Sequence, residues 1–175
     1  MIKPRNTHTR MITIDYNDIF DRCRRETAYI ARKNTDNEKN FATQFDKQFH
    51  LVRIRGSDKT LIETFIREAA HILEASIGWA LQGRGQYTLS TVEWQFKQNV
   101  IADNDSKQVE GLIDDILTNY TLYRWLNTNN ENAALAYESL WRQATKNMNN
   151  TLCNFSAPTK KAPYNYENTN HTDTQ

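Results

Sequence analysis

The stretch of sequence that decides the fold runs from residue 57 to residue 82 and reads SDKTLIETFIREAAHILEASIGWALQ. Its apolar residues recur at steps of three and four, which keeps them on one side of a helix that turns every ~3.6 residues. Ser57 and Asp58 are typical of a helix start, and Gly83 is typical of a helix end. We therefore predict one long helix over 57–82, about 35–40 Å in length, as the central packing element. Its apolar stripe comprises Leu61, Ile62, Phe65, Ile66, Ala69, Ile72, Leu73, Ser76, Ile77, Ala80 and Leu81.

The segment before this helix contains a short β-prone entry and a first helix. Residues 11–14 read MITI, and a helix from Asp15 or Asn17 to about Lys33 follows, since apolar residues again share one face. Residues 34–40 are a polar loop. Residues 41–55 fit two interpretations, because three phenylalanines lie four apart while later residues favour extended chain. We predict extended structure over 48–55.

The strongest strand pattern in the chain lies at residues 87–96, which read YTLSTVEWQF. Aromatic and β-branched residues dominate it, and they alternate between two faces. A single strand is not stable alone, so a partner is required. Residues 48–55, residues 11–14 or a strand of another chain are the three alternatives.

Two further helices are predicted after this strand. A helix from about residue 106 to Leu126 follows the capping residues at 103–106, and a second runs from about Glu131 to Leu152. Because only a short polar link joins them, we expect an antiparallel hairpin. The inward residues are predicted to be Val109, Leu112, Ile113, Ile116, Leu117, Tyr120 and Tyr123 in the first helix, and Ala133, Tyr137, Leu140, Trp141, Ala144 and Met148 in the second.

The predicted fold is mainly α, an antiparallel helical bundle around one long helix, with a small β-hairpin or strand insertion and extended termini. One domain is the default for 175 residues. We expect a flexible arm over residues 1–10, a helical domain with a small β element over 11–153, and an extended or disordered tail over 154–175.

Composition excludes several classes of protein. No stretch approaches the ~20 apolar residues of a membrane span, and the N-terminus lacks the apolar region of a signal peptide. Cys23 and Cys153 have neither disulfide-framework nor zinc-site spacing. We expect a soluble protein made in a reducing compartment. The net charge is +1, yet residues 1–33 hold eight Lys/Arg against four Asp/Glu, so a basic head precedes a mildly acidic body.

Motifs for catalysis or metal binding are absent from the sequence. The four histidines, at 8, 50, 71 and 171, have no metal-ligand spacing. Asp114 and Asp115 point about 100° apart on a helix, which favours an exposed acidic patch over paired catalytic carboxylates. No P-loop or GxSxG motif occurs. We predict no enzyme activity, no cofactor and no metal.

Arginines beside turns offer a weaker signal. Arg53 and Arg55 precede a helix start, and Arg84 lies in a Gly-Arg-Gly turn, so each is either an ordinary turn residue or a contact for a phosphate. The large aromatic residues fit either a core or a subunit interface. The interface candidates are Trp79, Trp94, Trp125, Tyr164 and Tyr166.

Three stretches carry a family resemblance. They are IDYNDIF at 14–20 with TAYIARK at 27–33; the long helix entered through Ser57 and Asp58, with FIREAA at 65–70; and the end of the third helix, with YTLYRWL at 120–126, followed by Ala136 and Tyr137. Their order over residues 11–150 resembles small helical structural proteins from the head–tail (neck) gene region of tailed phages and prophages of Bacteroides-type bacteria.

This resemblance implies a ring-forming neck, connector or tail component of the virion, made in the bacterial host cytoplasm, with no catalysis and no cofactor. The implied partners are further copies of the chain, the portal and adjacent neck or tail proteins, with no membrane contact. As a hypothesis for the mechanism, we expect Arg53, Arg55 and Arg84 to face DNA in the channel and to attract its phosphates without reading sequence. The alternative is a nucleic-acid-binding or regulatory adaptor that uses the basic first helix, with Arg22, Arg24, Arg25, Arg32 and Lys33.

Overall fold

The computed structural model describes residues 10–36, 52–98, 100–101, 106–128 and 130–156. They form four α-helices and a small antiparallel sheet, so the predicted mainly helical class with a small β element is confirmed. The elements are β1 (Arg10–Asp15), α1 (Tyr16–Asp36), α2 (Lys59–Ile77), β2 (Gln86–Tyr87), β3 (Thr91–Phe96), α3 (Ser106–Leu126) and α4 (Glu131–Ser156).

Helix α2 is shorter than the stretch predicted for it. A 3₁₀ turn over Gly56–Asp58 precedes it, and a second 3₁₀ turn over Gly78–Ala80 follows it. The helix ends before Gly83 because the next residues pair with β3: the Gln82 N–H donates to the Gln95 carbonyl over 2.8 Å, and the Lys97 N–H donates to the Ala80 carbonyl over 2.9 Å. Backbone pairing with the sheet therefore takes the place of the last helical turn.

A bundle arranged around α2 is not confirmed. Helix α4 is the longest at 26 residues, and α2 and α3 each contact all three of the other helices. Residues on every side of α3 are buried, which explains why its sequence lacks a single apolar stripe. They are Val109, Ile113, Ile116, Leu117, Thr118, Tyr120, Thr121, Leu122 and Leu126.

The sheet has the order β1-β3-β2. The partner of β3 within the chain is the N-terminal strand, in a register that places Ile12 opposite Trp94 and Ile14 opposite Val92. The alternative partner, residues 48–55, supplies no strand in its described part, 52–55, and residues 48–51 lie outside the described residues. The single strand predicted over 87–96 is two strands, since the chain turns at residues 88–90.

The α3–α4 hairpin forms as predicted, with one error. Leu140 is 51% exposed, whereas Met148 and Leu152 are fully buried. Adjacent helical positions differ by about 100°, so Leu140 points away from the bundle when Trp141 packs against Tyr120. Helix α4 continues to Ser156, into the segment expected to be extended. Residues 1–9 and 157–175 lie outside the described residues.

Candidate interaction surfaces

Trp94 was predicted as a candidate interface residue, but the structure buries it in the core. Its side chain is 0% exposed, because β3 is the central strand and this face of the sheet lies against α2. The indole N–H donates to Glu74 Oε2 over 3.1 Å. A partner chain cannot reach Trp94 without opening the core.

The other predicted interface tryptophans differ in their exposure. Trp125 is half-buried, and its indole N–H donates to the Val52 carbonyl over 2.7 Å. Trp79 is 42% exposed and lies in the 3₁₀ turn after α2, with its N–H 3.4 Å from Asn149 Oδ1. Tyr164 and Tyr166 lie outside the described residues. Trp79 is therefore the predicted interface tryptophan that presents most surface.

The predicted DNA-facing arginines, Arg53, Arg55 and Arg84, are all exposed. Arg55 directly precedes the 3₁₀ turn at 56–58, where its backbone N–H donates to Asp58 Oδ2 over 2.7 Å. Arg84 lines a groove of about 860 Å³, whose lining includes His71 and Lys97 but neither Arg53 nor Arg55. Arg84 and Lys97 therefore line the same groove, and Lys97 was not predicted as a site residue from the sequence.

The basic face of α1 is partly neutralised by acids. Arg22 forms an ion pair with Asp115 of α3 at 2.6 Å, and Arg24 lies 3.5 Å from Asp21 on its own helix. The acidic patch expected at residues 114–115 is therefore not a free acidic surface. Asp114 is half-buried, and burial together with the charge of Asp115 raises its carboxyl pKa despite the nearby Arg22 guanidinium.

Glu74 connects three separate parts of the fold through one carboxylate oxygen. Its Oε2 atom accepts three hydrogen bonds, from the Tyr87 hydroxyl over 2.6 Å, from Trp94 Nε1 over 3.1 Å and from the Gly85 N–H over 3.2 Å. Desolvation favours the neutral acid, yet these donors and the nearby His71 outweigh it and lower the Glu74 pKa. An ionised carboxylate thus ties α2 to β2, to β3 and to the turn before β2.

Glycine is required at residue 85 by this arrangement. A Cβ atom built there would lie 2.6 Å from Trp94 Nε1 and 2.7 Å from Glu74 Oε2. Glu74 was not predicted from the sequence, although a signal for it existed. Tyr and Trp side chains on a buried strand need acceptors for their O–H and N–H groups, and Glu74 adjoins the apolar stripe of α2.

The turn between β2 and β3 is held by many hydrogen bonds; we call residues 88–91 the hairpin turn. The Thr88 N–H donates to the Thr91 carbonyl over 2.9 Å, and the Thr88 hydroxyl oxygen accepts from the Ser90 and Thr91 N–H groups over 3.2 and 2.9 Å. Ser90 in turn accepts from the Tyr16 N–H over 2.8 Å. The backbone of this turn is therefore fixed from within and from α1.

Leu89 lies at the tip of the hairpin turn and is 85% exposed. Its carbonyl lies 3.3 Å from Arg67 Nη2, which also reaches the Thr88 carbonyl over 3.4 Å. Turn tips usually carry Gly, Asn, Asp or Pro, so a leucine there needs a reason. The structure gives no contact within the described residues that would supply one.

Helix α2 also presents apolar side chains outward. Leu61, Phe65 and Ile72 lie within about 40° of one another around the helix axis; we call them the outer stripe. Leu61 and Ile72 are exposed, and Phe65 is partly covered by the Arg124 guanidinium, 5.1 Å from the ring centroid. A shallow depression of about 530 Å³ lies on this side of α2, lined by Thr64, Arg67, Glu68, His71, Ile72 and Ala75.

Glu68 anchors the outer side of α2 to α3. It accepts a hydrogen bond from the Tyr120 hydroxyl over 2.7 Å and forms an ion pair with Arg124. Tyr120 packs edge-on against Trp141 of α4 with ring centroids 5.4 Å apart. The side chains beneath the depression are thus fixed by two neighbouring helices.

The described residues contain neither a metal-binding cluster nor a membrane-spanning helix. Over the described residues, no group of three or more His, Cys, Asp or Glu could hold a metal ion. His71, the one described histidine, stacks on Tyr87 with ring centroids 4.3 Å apart. None of the helices, within the ranges given above, is both long and apolar enough to cross a membrane.

Comparison with known proteins adds no relative. A scan against protein-family models, a search of curated proteins and a search of solved structures each return no match to this chain. The class that the fold defines is thus a four-helix domain with a three-stranded antiparallel sheet, and its function rests on its surfaces.

Proposed function

We propose that the chain is a structural assembly subunit, and that it serves as a neck or head–tail connector ring protein of a tailed phage. The observation that carries the assembly role is the outward display of large apolar side chains on rigid elements. Leu89, Leu61 and Ile72 of the outer stripe, and Trp79 are exposed large apolar side chains. Hydrogen-bonded or ion-paired neighbours hold the elements that carry them. Large apolar side chains displayed on ordered elements are typical of protein–protein contacts.

The phage assignment within this proposal is supported by the resemblance of residues 14–33, 57–70 and 117–137 to neck proteins. Those stretches fall in β1 and α1, in α2 with its preceding turn, and in α3 with the start of α4. In the proposed virion, copies close into a ring through heterologous contacts, between the portal and adjacent neck or tail proteins. The chain is made in the host cytoplasm and has a structural, non-catalytic role.

DNA contact in this proposal is weak and independent of sequence. Arg53, Arg55 and Arg84 are exposed, and Lys97 lies in the groove that Arg84 lines. Cations facing a channel would attract phosphates at low salt without reading bases. The alternative adaptor role draws less support, because Arg22 and Arg24 of α1 are engaged by Asp115 and Asp21.

The mass of the purified chain in solution tests this function. Native mass spectrometry would be run on the chain alone and with the portal protein of the same phage or prophage. A monomer or small oligomer that forms a closed ring with the portal is the expected result. A chain that ignores the portal and is retained on DNA at low salt would overturn the proposal in favour of the adaptor.

A further inference from the structure

We propose that two copies of this chain pair about a two-fold axis by exchanging Leu89. The leucine at the tip of each hairpin turn enters the depression on α2 of the other copy. The proposed partner is thus a second copy of this chain, and the contact is made twice. Three properties of the described residues lead to it.

The first property is the fixed presentation of Leu89. Hydrogen bonds within the turn, from the Tyr16 N–H and from Arg67 hold the backbone on both sides of a side chain that is 85% exposed. Because this backbone is already ordered, docking of Leu89 costs less conformational entropy than docking of a residue on a mobile loop. An apolar side chain held in this way is suited to act as an anchor in a pocket.

The second property is the position of the receiving surface. Arg67 lines the depression and also contacts the Leu89 carbonyl, so the anchor and the depression are neighbours on one face. In a two-fold dimer, a residue of one copy that contacts a second residue of the other copy has that contact repeated in reverse. Because the anchor and the depression are neighbours, a two-fold axis that passes between them places each copy's Leu89 on the other copy's depression.

The third property is the presence of both charge signs at the rim. Arg67, which donates to the Leu89 carbonyl, and Glu68, which pairs with Arg124, both line the depression. A rim that carries both signs can face a second copy of itself, whereas a rim of one sign would repel itself. The exposed Ile72 supplies the apolar floor that a leucine needs.

This pairing goes beyond the proposed neck function and does not depend on it. An isologous contact joins two copies, while ring closure uses heterologous contacts elsewhere on the surface. Failure of the pair would leave ring formation with the portal untouched. Failure of the ring would leave the pair intact.

The first test is the monomer–dimer equilibrium of the full chain, measured by analytical ultracentrifugation over a dilution series. The variant Leu89→Ser removes both anchors. We expect the dissociation constant of the dimer to rise about 100-fold, roughly tenfold for each leucine lost. The matched control is Met11→Ser, which changes a residue of β1 that is 62% exposed and should leave the equilibrium unchanged. A wild-type chain that stays monomeric, or a dimer that Leu89→Ser does not weaken, would overturn the proposal.

The second test identifies the receiving surface by cross-linking. In a Cys153→Ser background, chains with Leu89→Cys are mixed with chains with Ile72→Cys and oxidised. The native Cys23 is fully buried, so it does not compete. We expect a disulfide between Leu89→Cys and Ile72→Cys chains, and none between Met11→Cys and Ile72→Cys chains. A dimer that Leu89→Ser weakens but that gives no such cross-link would show that Leu89 docks elsewhere, and the pairing would be rejected.

Discussion

Tyr87 and Glu74 join the small sheet to α2, since the tyrosine hydroxyl donates to the glutamate Oε2 over 2.6 Å. The same oxygen accepts from Trp94 of β3 and from the backbone of Gly85. One carboxylate therefore connects the helix to both strands of the hairpin that carries Leu89. Changes at this point should affect the stability of the whole domain.

Replacing Tyr87 by phenylalanine removes one of the three donors while keeping the ring that stacks on His71. We expect a loss of about 1.5 kcal/mol in the free energy of unfolding, the usual worth of a hydrogen bond to a charged group. Urea denaturation followed by circular dichroism measures it. Tyr29→Phe is the matched control, because Tyr29 is exposed and its change should stay within about 0.5 kcal/mol. Equal effects of the two variants would contradict a role for this bond.

The pH dependence of stability should reveal the ionised state of Glu74. Burial opposes ionisation, but hydrogen bonds from Tyr87, Trp94 and Gly85 lower the pKa of Glu74 in the folded chain. Because its pKa is lower in the folded chain, ionised Glu74 stabilises the fold at pH values above the pKa of an unfolded glutamate, about 4.3. This contribution is lost as the pH falls through the folded-state pKa.

The measurement compares the wild type with Glu74→Gln in urea denaturation from pH 7 downwards. We expect the variant to be less stable at pH 7 and the gap between the two proteins to narrow below about pH 4.3. Other carboxylates contribute equally to both proteins and cancel in the difference. A gap that does not change with pH would show that the charge of Glu74 adds nothing to stability.

Gly85 and Gly83 offer a matched pair of substitutions two residues apart. An alanine at 85 would place its Cβ 2.6 Å from Trp94 Nε1, whereas an alanine at 83 would meet nothing within 4 Å. Since the indole and the carboxylate are both held in place, we expect Gly85→Ala to cost about 1–3 kcal/mol, as overpacking does. Gly83→Ala should be close to neutral. The midpoints of thermal unfolding compare the two, and a similar midpoint for both would contradict the close approach.

The orientation of α4 can be tested with two truncations on the same helix. Met148→Ala removes a fully buried side chain and should cost about 2–5 kcal/mol. Leu140→Ala removes a side chain that is half exposed, so its cost should stay near 0.5 kcal/mol. Denaturant unfolding of both variants gives the comparison. The reverse order would mean that α4 is rotated about its axis relative to the structure.

Local sequence patterns predicted which segments are helices better than which helix lies at the centre. The clean apolar stripe of residues 57–82 marks a helix with one buried side, while α3 has buried residues on all sides, including Thr118 and Thr121. Amphipathic periodicity is strongest for helices at the edge of a bundle. The clarity of the α2 pattern was thus a sign of its partial exposure.

Long-range pairing was only partly predictable. Residues 11–14 were among the predicted partners of β3, but no local signal could choose among the three alternatives, since register depends on the whole packed face. The turn at 88–91 was missed because it contains no Gly, Pro, Asn or Asp and is formed by threonine hydroxyls. The exposure of Leu89 depends on that turn and was missed with it.

The pairing of Ile12 with Trp94 also sets an order of events during synthesis. About 80 residues of chain separate the two positions, and a ribosome adds roughly 5–20 residues per second. The first strand therefore leaves the ribosome several seconds before its partner exists. Over that interval, Met11, Ile12 and Ile14 have no sheet to join, and the domain cannot complete its core until β3 has emerged.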